Sequence, residues 1–285
     1  MRQRKEIQEL LHAQPRRVIP PANDVPGKDA FVSTLIDAAY LLLLVATSPW
    51  WLYAMAVRGK YRRGWRAKLL GAVPGSDHAG RLVWLHAVSV GEVNLLAPLV
   101  EELERRFPDL RLRITTTTDT GFEVACRRYG PERVCYAPFD FSWAVRRVLR
   151  KWQPAAIVLA ELELWPNWIR MASAHGVPVI VVNGRLSDRS FRGYRRLGSI
   201  LRFMFARLAT VAAQTPTYAE RFVRLGTPAD RVHAVGSLKF DGARTDRHHP
   251  DTQALAAWAR ITPEHVVFLA GSTQAPEEAL ALEAF

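Results

Sequence analysis

Between Arg81 and Gly236 short apolar runs alternate with amphipathic stretches, which restricts this part of the chain to successive strand and helix units. Strands are predicted at Arg81–His86, Leu110–Thr116, Arg133–Tyr136, Ala155–Ala160, Pro178–Val182, Leu208–Ala213 and Arg231–Val235. Helical patterns run between them, such as Val93–Phe107, where Leu95, Leu96, Leu99, Leu103 and Phe107 recur at helical spacing. Strands that are apolar on both faces and joined by helices make an α/β fold, a doubly wound parallel sheet. Such sheets collect ligands where strands end and helices begin, so polar residues at those joints carry the functional reading.

Ahead of the sheet, Ala38–Val57 holds no charge across 20 residues. At about 1.5 Å per residue a helix of that length matches a hydrocarbon core of about 30 Å. Trp50, Trp51 and Tyr53 follow Pro49 in the manner of an interfacial aromatic belt. Pro49 kinks such a helix, so a spanning helix and a half-embedded anchor are both expected forms, with a buried core helix as the bland alternative. Arg58–Lys68 (RGKYRRGWRAK) follows with six cations in 11 residues, a flank that stays cytoplasmic and meets anionic headgroups. Residues 31–68 are therefore expected to be an anchor with a basic flank, and residues 1–30 a flexible extension.

The whole chain of 285 residues carries 39 Lys and Arg against 27 Asp and Glu, a net +12 that calls for a polyanionic partner. Seven arginines lie between Arg185 and Arg207, interleaved with Phe191, Tyr194, Phe203 and Phe205. Single-strand nucleic-acid binders have this composition, and so do helices that face anionic lipid. The anchor decides for an anionic membrane surface, and no nucleic-acid partner is expected. Cys126 and Cys135 form no metal-ligand pattern, and GxGxxG, P-loop, HExxH and paired CxxC motifs are missing, so no cofactor and no metal are expected.

The first joint reads His86-Ala87-Val88-Ser89-Val90-Gly91-Glu92. Gly91 lets a ligand approach the backbone, and the Glu92 carboxylate can accept a proton from a hydroxyl nucleophile. The bland reading of Glu92 is a favourable charge in a helix's first turn, and His86 is given a structural role. The second joint, Thr115–Gly121, offers Thr118, Thr120 and Gly121 to sugar hydroxyls or phosphate, though threonines also serve as strand ends and caps. The joint after Ala155–Ala160 brings Glu161 and Glu163, which on extended backbone share one face. Burying such a pair is costly unless charged or hydrogen-bonding groups meet it. Asn183-Gly184-Arg185-Leu186-Ser187 forms the next joint, and Lys239 lies just past the last strand.

In order, the segments HAVSVGE, TTTTDTG, YAPFD, ELELWPN, NGRLS, GSLKFD and AGST resemble the Kdo (3-deoxy-D-manno-octulosonic acid) transferase family of lipopolysaccharide synthesis. The resemblance runs from about Phe31 to the last residue. It implies a GT-B-type glycosyltransferase with two Rossmann-like domains, an acceptor-binding domain at residues 80–240 and a donor domain that begins in 241–285. By the same resemblance, CMP-Kdo is the donor and a membrane lipid A precursor the acceptor. Glu92 falls on the catalytic base, and Glu161 and Lys239 on transition-state stabilisers. Inverting transfer without a metal, at the cytoplasmic face of the inner membrane, is likewise implied. Ser89, Gly91, Thr118, Thr120, Gly121, Glu163, Asn183, Arg185 and Ser187 are the expected acceptor-binding set. Gly271, Ser272 and Thr273 are expected to touch nucleotide, with the main nucleotide segments beyond Phe285. Asp119, Phe139, Leu162 and Ser237 depart from the family pattern and leave its charged positions intact. The alternative is a truncated, non-catalytic membrane module that binds anionic lipid or phosphosugar.

Overall fold

The computed structural model describes residues 26–59, 62–75, 81–241, 246, 248–271 and 273–285. They fall into two units, one ending at Gly242 and the other Ala243–Phe285. In the first unit seven strands form one parallel sheet: β1 (Leu82–His86), β2 (Arg111–Thr116), β3 (Val134–Tyr136), β4 (Ala156–Ala160), β5 (Val179–Gly184), β6 (Thr210–Ala213) and β7 (Val232–Ala234). Their order across the sheet is β3-β2-β1-β4-β5-β6-β7. Every strand expected between Arg81 and Val235 is present.

Both faces of the sheet are covered, which is why its strands read as unbroken apolar runs. All five residues of β1 are buried. Trp84 points into one core, with Leu149 and Trp152 of α7 (Ser142–Trp152), Ile169 of α8 (Pro166–Ala174), Phe205 of α10 (Gly198–Ala206) and Phe222 of α11 (Pro216–Leu225). Its neighbours Val83 and Leu85 point into the other, against Val93 of α4 (Val90–Leu95), Leu99 of α5 (Ala97–Arg106) and Ala125 of α6 (Asp119–Tyr129). Each large apolar side chain buried in this way contributes about 1.5–3 kcal/mol. The single helix predicted over Val93–Phe107 is two, α4 and α5, meeting at Leu96. Pro98, in the first turn of α5, has no N–H to continue the ladder, and its ring crowds the carbonyl four residues back.

The uncharged run Ala38–Val57 does not form one straight helix. It is divided between α1 (Pro26–Ala46) and α2 (Ser48–Arg58), which are bent by 52°. At the break the Thr47 hydroxyl bonds the Leu43 carbonyl at 2.7 Å, and Pro49 sits in the first turn of α2, where its missing N–H is harmless. Among the described residues no single helix is long and apolar enough to cross a membrane, whereas Phe31–Ala46 and Ser48–Arg58 meet that test only as a bent pair. Leu41, Leu42, Leu43 and Val45 of α1 are exposed, while Ser33 and Asp37 are buried against the domain. Residues 1–25 of the expected extension lie outside the described residues, and Pro26–Ala30 already belongs to α1.

The basic flank is only partly a headgroup surface. Lys68, in α3 (Trp65–Leu70), is buried with its ammonium 4.5 Å from the centre of the Tyr136 ring. Arg62 donates to the carbonyls of Met55 at 2.7 Å and Ala56 at 3.2 Å at the end of α2. Arg63 pairs with Glu123 at 3.0 Å. Arg58 and Arg66 are exposed, and Lys60 and Tyr61 lie outside the described residues.

The second unit has α12 (Pro250–Trp258) and α13 (Glu277–Ala284) and no strand among its described residues. The strand expected at Val266–Ala270 does not form. A strand needs a ladder partner, and Val266 and Leu269 stay exposed without one.

Candidate functional site

The chain passes from β1 outward to β2 and β3, then returns to lay β4 on the other side of β1. This reversal opens a crevice at the carboxyl ends of β1 and β4, where open α/β sheets bind ligands. Glu92 follows β1 and Glu161 follows β4, so the two carboxylates flank that crevice.

Glu92 is half-buried in the first turn of α4. The Val88 amide donates to its Oε2 at 2.8 Å and the Ser89 hydroxyl to its Oε1 at 3.0 Å. Ser89 in turn accepts the Glu92 N–H at 3.5 Å, a reciprocal arrangement of the capping-box type. Burial raises the Glu92 pKa above the usual carboxylate range, the two hydrogen bonds oppose the rise, and the charge of Glu161 adds to it. An ionised carboxylate has about four lone-pair sites, so two donors leave capacity for an incoming proton.

Glu161 does not sit on extended backbone, so the shared face expected of Glu161 and Glu163 is broken at Glu161. Glu161 has φ +57°, a left-handed conformation that costs a non-glycine residue about 1–2 kcal/mol, and the chain turns there. The Glu161 amide donates to the Val182 carbonyl at 2.9 Å, which ties the turn to β5. The turn still brings both side chains toward Glu92. Glu163 has its pKa raised by burial first and then by the charge of Glu92, while the Trp165 indole N–H, 3.1 Å away, opposes the shift. Three carboxylates thus share one crevice, a field suited to developing positive charge.

Asn183, fully buried at the end of β5, also has a positive φ of +55°. Its amide donates to Glu161 Oε1 at 3.5 Å. Its carbonyl oxygen accepts the Ser237 hydroxyl and the Leu238 amide, both at 3.1 Å. One side chain therefore joins the Glu161 turn to the turn at Leu238–Phe240 that carries Lys239. Lys239 itself is exposed.

Much of the remaining expected set builds the joints rather than lining them. Ser89, Thr118 and Ser187 are N-caps, each accepting the N–H three residues on, as Thr215 also does. Thr116 and Thr118 donate to the Val88 carbonyl at 3.0 and 3.1 Å, which locks the second joint against the first. A Cβ on Gly121 would fall 2.6 Å from the Thr116 hydroxyl, so that glycine serves packing. Gly91, Thr120 and Arg185 are exposed at the joints and open to a ligand. Gly271 and Thr273 are in the second unit, and Ser272 lies outside the described residues. The aromatics of the arginine-rich stretch are no stacking platform: Phe191 and Phe205 are buried, Arg224 covers Phe191 at 5.0 Å, and Arg207 covers Phe203 at 5.3 Å. Among the described residues no three His, Cys, Asp or Glu side chains are grouped to hold a metal.

Residues 61–242 match the family model described as 3-deoxy-D-manno-octulosonic-acid transferase (kdotransferase). The chain belongs to that family. It is 38% identical over 248 residues to a 3-deoxy-D-manno-octulosonic acid transferase of Bordetella pertussis, covering 84% of this chain and 53% of that protein. A transferase of the same description from Chlamydia muridarum is 32% identical over 209 residues, or 73% of this chain and 49% of the relative. The chain thus spans about half the length of the curated relatives it matches. Among solved structures, a UDP-GlcNAc 2-epimerase from Neisseria meningitidis bound to UDP-GlcNAc aligns with 63% of this chain and 53% of its own at 11% identity and a TM-score of 0.43.

A buried polar cluster beside the crevice of this kdotransferase-family chain was not legible from its sequence. Asp140, inside the segment YAPFD, accepts the amides of Asn167 at 3.1 Å and Trp168 at 2.9 Å, capping α8 from a distant loop. Asp37 of α1 accepts the Ser142 amide at 2.8 Å, the Ser142 hydroxyl at 2.5 Å and the Asn167 side-chain amide at 2.9 Å. The pointer in the sequence is Asp37 itself, a lone acid immediately before the long uncharged run. Burial pushes the Asp140 carboxyl up to about 7, opposed by its hydrogen bonds and helped by the charge of Asp37. Burial lowers His86 to about 4, so this imidazole is neutral where its Nδ1 meets the Thr115 hydroxyl at 2.9 Å.

Proposed function

We propose that these residues form the acceptor-binding part of a glycosyltransferase that moves Kdo from CMP-Kdo to a sugar hydroxyl of a lipid A precursor. The observation that carries the reading is Glu92, half-buried at the carboxyl end of β1 and fixed by the Val88 amide and the Ser89 hydroxyl. Its raised pKa suits a general base, since basicity grows with the affinity for the proton.

In the proposed step the acceptor hydroxyl oxygen attacks the anomeric carbon of Kdo while its proton passes to Glu92. The bond from that carbon to the CMP phosphate oxygen breaks, and the electron pair leaves with CMP. One displacement inverts the anomeric centre and needs no covalent enzyme intermediate. Positive charge develops at the sugar ring, which Glu161 and Glu163 stabilise, and negative charge develops at the leaving phosphate, which the Lys239 ammonium stabilises. The exposed leucines of α1, with Trp50 and Leu52 of α2, suit monotopic association with the cytoplasmic face of the inner membrane.

The test supplies CMP-Kdo and a lipid A precursor to membranes that carry either the 285-residue chain or a chimera joining it to the C-terminal half of a family member. Transfer of Kdo is expected, with Glu92→Gln reducing it at least about 100-fold. A Glu92→Gln protein as active as the parent would overturn the reading.

A further inference from the structure

Beside the carboxylate crevice lies a second space that the proposed chemistry does not use. A cavity of about 290 Å³ opens between one face of α1 and the carboxyl ends of the first three strands. Leu43, Leu44, Ala137, Phe139, Phe141 and Trp168 contribute apolar wall. Its polar groups are Tyr40, Thr47, His86, Thr117 and Asp140, and Tyr40 and Asp140 bond each other. A nucleotide or sugar site needs several converging donors and acceptors, whereas carbon walls of this kind select an apolar occupant and do not hold water well.

Two relationships say which apolar occupant. Leu43 lines the cavity and is also 59% exposed, on the same helix as the bare Leu41, Leu42 and Val45. The mouth therefore opens where an apolar phase would lie against α1, and the occupant enters from that phase rather than from water. At the other end, Trp165 lines the cavity while its indole N–H holds Glu163 Oε2 at 3.1 Å. One side chain thus separates the carbon-walled space from the carboxylates.

We propose that this cavity seats one acyl chain of the glycolipid acceptor, so that a fatty tail lodged under α1 sets the position of its sugar hydroxyl at Glu92. The inference rests on the glycosyl-transfer reading for the identity of the lipid, but the acyl site itself does not depend on catalysis. His86 is neutral, and burial raises the Asp140 carboxyl to about 7, which reduces the charge at the inner end that would repel a hydrocarbon terminus.

The probe is an N-dodecanoyl glucosamine phosphate with a diazirine at the chain terminus, presented to the full chain in vesicles of phosphatidylethanolamine and phosphatidylglycerol. Photolysis is expected to label Leu44, Ala137 and Phe139 among the cavity residues. Ala137→Phe and Leu44→Trp, which fill the space, are each expected to cut that labelling at least about tenfold, while labelling of exposed Leu42 and Leu52 stays unchanged. Leu44 is only partly buried, so Leu44→Trp reads the cavity even where Ala137→Phe fails to fold. Both variants should raise KM for an acylated acceptor and leave turnover of a deacylated one unchanged. Adducts spread along Leu41, Leu42 and Val45, and insensitive to both substitutions, would overturn the proposal. Glu92→Gln should label like the parent, so cavity labelling without Kdo transfer removes the enzymatic reading alone, and transfer with scattered labelling removes the acyl site alone.

Discussion

Asn183 accepts the amide N–H of Leu238 at 3.1 Å, a bond across 55 residues of sequence that pins the turn bearing Lys239 to the end of β5. The same side chain donates to Glu161, so the spacing between the proposed cation and carboxylate is set by one buried amide in a left-handed conformation. Replacing it separates two effects. Asn183→Gly keeps the positive φ at little strain but leaves the buried Leu238 amide unpaired, a loss of about 1–3 kcal/mol. Asn183→Ala adds backbone strain of about 1–2 kcal/mol to that loss. Urea unfolding should rank the parent above the glycine variant and the glycine variant above the alanine variant. Equal stability of the two variants would show that the dihedral is not constrained.

The proposed base can be read from the pH dependence of transfer. Glu92 must be ionised to accept a proton, and burial raises its pKa, so the acid limb of kcat/KM should lie above the usual carboxylate range. The Glu161 charge contributes to that rise. Glu161→Gln should therefore move the limb to lower pH, even as the loss of a proposed stabiliser lowers the plateau. A limb that stays in place in the Glu161→Gln protein would separate Glu92 from Glu161 electrostatically.

The sheet was legible because its constraint is local and repeated: strands buried on both faces must be apolar, and helices that cover them must be amphipathic. The joints were legible for the same reason, and Glu92, Glu161 and Asn183 stand at the carboxyl ends where the periodicity puts them. Which hydroxyls would bind ligand was not legible, because a threonine that caps a helix and one that faces a sugar look alike in sequence. Thr118 turned out to spend its hydroxyl on the Val88 carbonyl and the Gly121 amide. The burial of Lys68 was hidden too, since it arises from docking onto the distant Tyr136, whereas the bend at Thr47 falls two residues before Pro49, where a kink is expected. The run Val266–Ala270 has strand composition, and composition alone supplies no ladder partner.

Two buried titratable groups near the acyl cavity act on stability with opposite sign. Asp140 has a folded pKa of about 7 against an ordinary value near 3.8. Between those values the folded state keeps a proton that the unfolded chain has released, so stability falls as pH rises, by at most about 1.4 kcal/mol per pH unit. His86 has a folded pKa of about 4 against 6.5, so the unfolded chain binds the extra proton, and stability rises with pH across that window. The slopes of these two groups oppose each other between about pH 4 and 6.5 and offset one another in the parent. Asp140→Asn removes one slope and should expose the upward trend of His86 in urea unfolding across that range. A slope in Asp140→Asn no more positive than the parent's would mean that Asp140 is not shifted as described.

The arginine-rich helix α9 (Asp188–Arg196) is the place to test the proposed anionic lipid partner against nucleic acid. Its Phe191 packs inward under Arg224, while Arg189, Arg192, Arg195 and Arg196 are exposed. With no exposed ring on which a base can stack, the helix offers charge alone, as a surface facing headgroups does. Each basic residue close to an anionic membrane contributes about 1 kcal/mol, so Arg192→Ala and Arg196→Ala should each weaken sedimentation with phosphatidylglycerol vesicles about fivefold. Binding should also fall with added salt. Single-stranded DNA retained as tightly as those vesicles, with the same loss in both variants, would reverse the assignment, because bare charge without stacking gives DNA only non-specific affinity.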